Sequence, residues 1–257
     1  MKTIILCGGL GYRLKEETEF KPKPMVLIGG KPILWHIMKI YAHYGYNDFI
    51  IALGYKGNAI KEYFLNQKYF ANDFTLDTKE GRTKIHKNGN STDEDFHVTF
   101  VDTGADTLPG ERILRVMDFI PATDEHFMVT YGDGVADIDI KKLVSFHKSQ
   151  GTVGTVTGVH PHSKYGLLTT DDHGVIVSFT EKPALKEFVN GGFMVFKREF
   201  FNYLNPGEYE HEALKRLVAK KELSLYTHGG FWQCMDTYPD VDLLNKLWLK
   251  DPKWKVW

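Results

Sequence analysis

Met1-Lys-Thr-Ile-Ile-Leu-Cys-Gly-Gly-Leu-Gly-Tyr-Arg-Leu14 opens the chain, and Lys21-Pro-Lys-Pro-Met25 follows. The apolar run Ile4, Ile5, Leu6 reads as a buried parallel strand, Thr3–Leu6, that ends abruptly at Gly8, Gly9 and Gly11. Glycines in that place let backbone N–H groups crowd around a phosphate, because no Cβ blocks the approach. Arg13 and Lys23 add fixed positive charge beside this nest, and the prolines hold Lys21 and Lys23 on a stiff, extended segment that can aim an ammonium at a ligand. No Gly-Lys-Ser/Thr follows the glycines, so this is not a P-loop. A bare glycine motif would serve equally as a tight turn. The basic residues beside it tip the reading toward phosphate.

Working outward, strand and helix signals alternate. Pro32 opens a helix to about Tyr44, with Gly45 just past its end and Ile33, Ile37, Ile40 and Tyr41 at helical spacing. Phe49–Leu53 reads as a strand and Asn58–Leu65 as a helix. Residues 66–95 are a polar insertion, with Lys87-Asn-Gly-Asn90 as its hairpin turn. His97–Val101 alternates, Pro109–Phe119 reads as a helix, and Phe127–Tyr131 as a core strand. Ile138–Gln150 is helical with Asp137 as N-cap. Strands at Thr152–Thr157, Gly166–Thr169, Val175–Thr180 and Gly191–Phe196 follow. A helix at Glu210–Lys221 leads to a C-terminal strand-helix segment, 223–257. This pattern predicts an α/β fold in one domain, 1–257: a Rossmann-like, mostly parallel mixed sheet flanked by helices, with a smaller antiparallel extension.

The 257 residues carry a net charge of −1, which gives no reason to expect nucleic-acid or anionic-membrane partners. Hydrophobic content of 42% supports a sizeable core. Two distant cysteines, Cys7 and Cys234, fit a reduced cytoplasmic protein. The first apolar stretch is too short for a signal peptide, and no run reaches membrane-spanning length.

Tyr131-Gly-Asp-Gly134 follows a strong strand, which puts Asp133 at the carboxyl edge of the sheet. There it is either a magnesium ligand or a turn aspartate. Asp236 is a second carboxylate, or else the cap of a helix beginning near Tyr238. Lys182, set before Pro183 on extended backbone, meets a second phosphate or lies on the surface. Asn190-Gly-Gly-Phe193 offers an amide to sugar hydroxyls, or simply begins a strand. Asp137-Ile-Asp139 has the form of a metal motif, but capping explains it more cheaply. His160, His162 and His173 lack the donor spacing of a zinc site, and no Ser-His-Asp order with a nucleophile elbow is present.

With these pieces placed, the chain resembles the sugar-1-phosphate nucleotidylyltransferases along essentially its whole length. The carrying segments include Gly8–Leu14, Lys21–Met25, Ile28-Gly-Gly-Lys-Pro-Ile-Leu-Trp-His-Ile-Met38, Tyr131–Asp137, Glu181-Lys-Pro183 and Gly230-Phe-Trp-Gln233 with Met235-Asp-Thr237. The Trp-His-Ile-Met, Tyr-Gly-Asp-Gly and Phe-Trp-Gln segments together point to the cytidylyl branch. The resemblance implies transfer of CMP from CTP to glucose 1-phosphate, giving CDP-glucose and pyrophosphate with Mg2+. It implies a catalytic set of Arg13, Lys23, Asp133 and Lys182. A nucleotide set of Leu6, Gly8, Gly9, Gly11, Arg13, Lys23, Gly104, Arg112 and Asp133 goes with it. Gly132, Glu181, Lys182, Asn190 and Gly191 would hold the sugar phosphate, and Asp133 with Asp236 the metal. It also implies a homo-oligomer, often a hexamer, that supplies nucleotide-sugars for O-antigen. Cys7, Tyr12 and Glu111 depart from the family pattern. The alternatives are the same reaction with UTP, dTTP or another sugar 1-phosphate, and a catalytically silent nucleotide-sugar sensor.

Overall fold

A computed structural model describes residues 1–9, 11, 14–86 and 94–257. Tyr12, Arg13 and the expected turn at 87–90 lie outside the described residues. The chain runs β1 (Thr3–Cys7), α1 (Lys15–Thr18), β2 (Leu27–Ile28), β3 (Lys31–Pro32), α2 (Ile33–His43), β4 (Asp48–Leu53), α3 (Gly57–Phe70), β5 (Asp73–Asp77), β6 (Arg82–His86), β7 (His97–Asp102), α4 (Pro109–Arg115) and β8 (His126–Tyr131). It continues with β9 (Gly134–Ala136), α5 (Ile140–Gln150), β10 (Gly154–Val159), β11 (Leu167–Thr170), β12 (Ile176–Thr180), β13 (Val189–Asn190), β14 (Met194–Lys197), α6 (Glu210–Ala219), β15 (Leu223–Thr227), β16 (Trp232–Cys234) and α7 (Tyr238–Lys250).

β8, β1, β4 and β7 lie side by side and parallel. β14 joins β8 antiparallel, and β10 pairs antiparallel with β14 and β13 and parallel with β15. This is the expected mostly parallel mixed sheet with an antiparallel extension. Period-2 alternation divides the strands between two cores. Ile5, Cys7, Ile51 and Met128 pack with α2, while Ile4, Leu6, Ile50 and Val129 pack toward α4 and α6. Full burial of such side chains stabilises the fold by about 1.5–3 kcal/mol each. A sheet covered on both faces leaves its strand ends as the open place for a site.

Several boundaries differ from the sequence reading. Asp139, not Asp137, caps α5, accepting the Lys142 N–H at 3.0 Å. Asp137 instead lies 2.9 Å from Nε2 of His228. α4 stops at Arg115, and a separate 3-10 turn, Met117–Phe119, follows. The predicted strand Gly191–Phe196 is broken by left-handed backbone at Gly192 (φ 77°) and Phe193 (φ 48°). Within the polar insertion the β5–β6 hairpin turns at residues 78–81. There Asp77 Oδ1 accepts the N–H groups of Lys79 and Glu80, and Gly81 takes φ 66°. No helix of the described residues is long and apolar enough to cross a membrane.

Candidate active site

The carboxyl ends of β1 and β8 are neighbours, so the loops that leave them share one space. A cavity of about 150 Å³ opens there, lined by Leu6, Cys7, Gly8, Gly9, Lys23, Pro24, Pro109, Arg112, Tyr131, Gly132 and Asp133. Gly132 sits where any side chain would be crowded. A Cβ there would come within 3.0 Å of Cys7 Sγ, Leu6 O and Pro24 Cγ. The 3-10 turn Lys23–Met25, with Pro24 and Met25 buried, fixes the backbone of Lys23 at the cavity wall.

A second carboxylate arrives through the β9–β16 ribbon. Gly134 pairs with Cys234, and the Met235 N–H donates to Asp133 O at 2.8 Å, which sets Asp236 beside Asp133. The cap of α7 is Thr237, in a capping box with Asp240. The helix-capping alternative for Asp236 therefore falls away. Its carboxylate faces Lys23, whose Nζ donates to Asp133 Oδ2 at 2.6 Å and to Asp236 Oδ1 at 2.7 Å. Burial works against the Lys23 charge, but Asp133 and Asp236 outweigh it and hold the ammonium above its ordinary pKa. Asp133, Cys234 and Asp236 bring their donor atoms within 4.8 Å of one another, and among the described residues no other group of three does so. Two hard carboxylate oxygens suit magnesium, and the ammonium between them marks a place where a cation fits.

Arg112 is almost wholly buried, 3% exposed. Its Nη1 donates to Leu53 O (3.0 Å), Thr103 Oγ1 (2.7 Å) and Gly104 O (2.7 Å), and its Nη2 to Gly8 O (3.2 Å) and Ala105 O (3.0 Å). The side chain ties the glycine loop after β1 to the loop after β7. Gly8 and Gly54 make room for it, since a Cβ on either would strike the guanidinium at 2.1 and 2.5 Å. Burial, first of all, drives the Cys7 thiol pKa up, and the nearby Asp133 adds to this, so Cys7 stays protonated. Tyr131 donates its hydroxyl to Glu210 Oε1 at 2.7 Å and accepts from Asn190 Nδ2 at 3.2 Å.

The sequence pattern of the nucleotidyl transferase family matches residues 2–237. The chain belongs to that family. It is 46% identical, over all of both chains, to a probable glucose-1-phosphate cytidylyltransferase of Bacillus subtilis (strain 168). It is equally close, again over all of both chains, to the glucose-1-phosphate cytidylyltransferase of Salmonella typhimurium. In three dimensions it superposes on a putative glucose-1-phosphate thymidylyltransferase of Bacillus anthracis. That match has a TM-score of 0.67, 19% identity, and coverage of 96% of this chain and 94% of the other.

Of the residues singled out from sequence in this nucleotidyl transferase, Leu6, Gly8, Gly9, Lys23, Arg112, Gly132 and Asp133 line one cavity, and Asp236 reaches it through Lys23. Gly104 is linked through its carbonyl to Arg112. Gly11, at φ 66°, is held by Thr18 Oγ1, which donates to its carbonyl at 3.1 Å. Asn190 reaches the cavity wall only through Tyr131, and Gly191 O accepts from Trp232 Nε1 at 2.8 Å. Glu181 and Lys182 do not line the cavity. Their side chains are 61% and 63% exposed and lie 3.9 Å from each other. Lys182 is not extended either, having φ 46°. The following proline favours extended backbone, so the left-handed turn at Lys182 runs against the local preference that the sequence reading relied on. Glu111 faces Arg115 and the Gly207 N–H rather than the cavity. Pro24, Pro109 and Tyr131 are lining residues that sequence reasoning passed over. Only the adjacency of Pro24 to Lys23 and of Tyr131 to Gly132 hinted at two of them.

Proposed function

We propose that this chain transfers CMP from CTP to α-D-glucose 1-phosphate, giving CDP-glucose and pyrophosphate. Lys23 set between Asp133 and Asp236, on the wall of a glycine-edged cavity, is the observation that carries the reading. Full-length likeness to glucose-1-phosphate cytidylyltransferases supports the choice of base and sugar.

The sugar phosphate is a monoester with about −1.5 to −2 charge at neutral pH, a competent nucleophile without a general base. One of its oxygens attacks the α-phosphorus of CTP in line with the departing pyrophosphate. The protein must bring two anions together and steady the charge on the leaving group. In this reading the N–H groups of the Gly8–Gly11 loop and Arg13 hold the triphosphate, and Lys23 steadies the reacting phosphates. Arg112 shapes the nucleotide loops through Gly8 and Gly104. Lys182 and Glu181 come from the β12 side, with Asn190, Gly191 and Gly132, to the sugar phosphate. Asp133 and Asp236 would hold magnesium, which would supply neutralisation of phosphate charge. The active form we propose is a homo-oligomer of one-domain chains.

The test is a pyrophosphate-release matrix of four nucleoside triphosphates against several sugar 1-phosphates. CTP with glucose 1-phosphate should give the fastest release, and only with magnesium present. Faster release with UTP or dTTP would reassign the base. Nucleotide-sugar binding without release from any pair would make the chain a sensor.

A further inference from the structure

We infer that Lys23 is the resident cation of the Asp133–Asp236 pair, and that a divalent ion gains the two carboxylates only by displacing it. The inference rests on the reading of that pair as the metal seat. Lys23 Nζ lies 2.6 Å from one carboxylate and 2.7 Å from the other, with its side chain only 14% exposed. An ion bridging the same oxygens would need the same space. Two carboxylates brought this close by the β9–β16 ribbon repel each other, and a cation between them relieves that repulsion.

The backbone of Lys23 cannot retreat, because Pro22 precedes it and buried Pro24 and Met25 follow. The movable part is the four-carbon stem. Since Lys23 lines the cavity with Gly8 and Gly9, an ammonium released from the carboxylates stays inside the space assigned to phosphates. Metal arrival thus transfers a positive charge from carboxylate to phosphate instead of merely adding one. Metal alone must break two short ion pairs. Metal with a triphosphate breaks them and gives the ammonium new anionic partners. The two ligands are therefore coupled, each raising the affinity for the other.

The test is direct binding of Mn2+ in the absence of nucleotide, read from the electron paramagnetic resonance of the free ion. Lys23→Met should bind about tenfold tighter than the unmodified protein, within the range of ordinary coupling between sites. Lys21→Met is the charge control. It removes a lysine two positions away that pairs with Glu17, and it should leave the affinity unchanged. Equal affinity of Lys23→Met and the unmodified protein overturns the inference, as does equal tightening by Lys21→Met. A double variant carrying Lys23→Met and Asp133→Asn that keeps the tight binding would instead remove the carboxylates as the seat, and the underlying reading with them. A measurement without substitution stands beside these. Acetylation of Lys23 in the unmodified protein, followed by peptide mass, should speed up on Mn2+ addition, and an unchanged rate overturns the inference.

Discussion

Replacing Arg112 by methionine separates a residue that builds the nucleotide loops from one that only touches a ligand. The side chain is buried and donates to five acceptors. Leu53 O and Thr103 Oγ1 would keep the bond they make with each other, at 2.6 Å. The carbonyls of Gly8, Gly104 and Ala105 would lose this donor. Three bonds of this kind, at about 1–1.5 kcal/mol each, give a loss of about 3–5 kcal/mol, in line with the cost of breaking a buried charged contact. For a chain of this size that corresponds to a fall in Tm of roughly 10 °C. Arg112→Lys should fall between the two, since an ammonium has three donors and no planar fork. Differential scanning calorimetry measures the fall, and the KM for the triphosphate should rise as the Gly8 and Gly104 loops loosen. A melting temperature within about 2 °C of the unmodified protein, with triphosphate binding lost, would refute the reasoning and make Arg112 a pure ligand contact.

Asp133→Asn should lower turnover about 100-fold or more, the scale of losing one electrostatic contributor. Lys23 keeps Asp236 as its counterion, so calorimetry should find little change in Tm, and a near-normal rate at saturating magnesium would take Asp133 out of the mechanism. Burial, the largest cause, lowers His36 to about 4, and His147 likewise to about 4. The unfolded chain then binds more protons than the folded one at mildly acidic pH. Stability is complete above about pH 6.5 and declines as pH falls toward 4, by about 2 kcal/mol per histidine at pH 5. Urea denaturation at pH 7.5 and pH 5 measures this, and His36→Gln should flatten part of the slope. Thr237→Ala removes one half of the α7 capping box and should cost about 1 kcal/mol in the same assay.

What the sequence made legible depended on how local the physics was. Ile4–Leu6 running into Gly8 and Gly9 specified β1 and where it ends without further information, because strand burial and glycine geometry are properties of a short segment. Asp133 was readable as an edge residue for the same reason: the strand before it sets its position. Asp236 was not, since its competing role as a helix cap is also local and chemically reasonable. The cap itself goes to Thr237 with Asp240, and what Asp236 does instead is set 213 residues away, by Lys23. Arg112 shows the limit from the other side. The family resemblance carries Arg112 only as a nucleotide contact, and its burial beneath Gly8 and Gly54 shows where its donors go. The β5–β6 hairpin turned at Asp77 and Gly81 because an aspartate side chain can organise a turn without an Asn-Gly pair.

The cavity poses a problem that points back to its chemistry. A space edged by Gly8 and Gly9 and lined by Lys23 and Arg112 suits anions, yet its wall carries Asp133, with Asp236 next to it. Carboxylates in an anion site repel the ligand unless a cation intervenes. A covalent route would give them another use, orienting a base or a nucleophile. Among the described residues no histidine lines the cavity, however, and burial, aided by Asp133, keeps both the Cys7 and Cys234 thiols protonated, which leaves neither as a thiolate. In the proposed reading, the acids of this site serve cations and its cations serve phosphates. That division of labour suits a reaction in which the substrate phosphate is its own nucleophile and the protein has only charge to arrange.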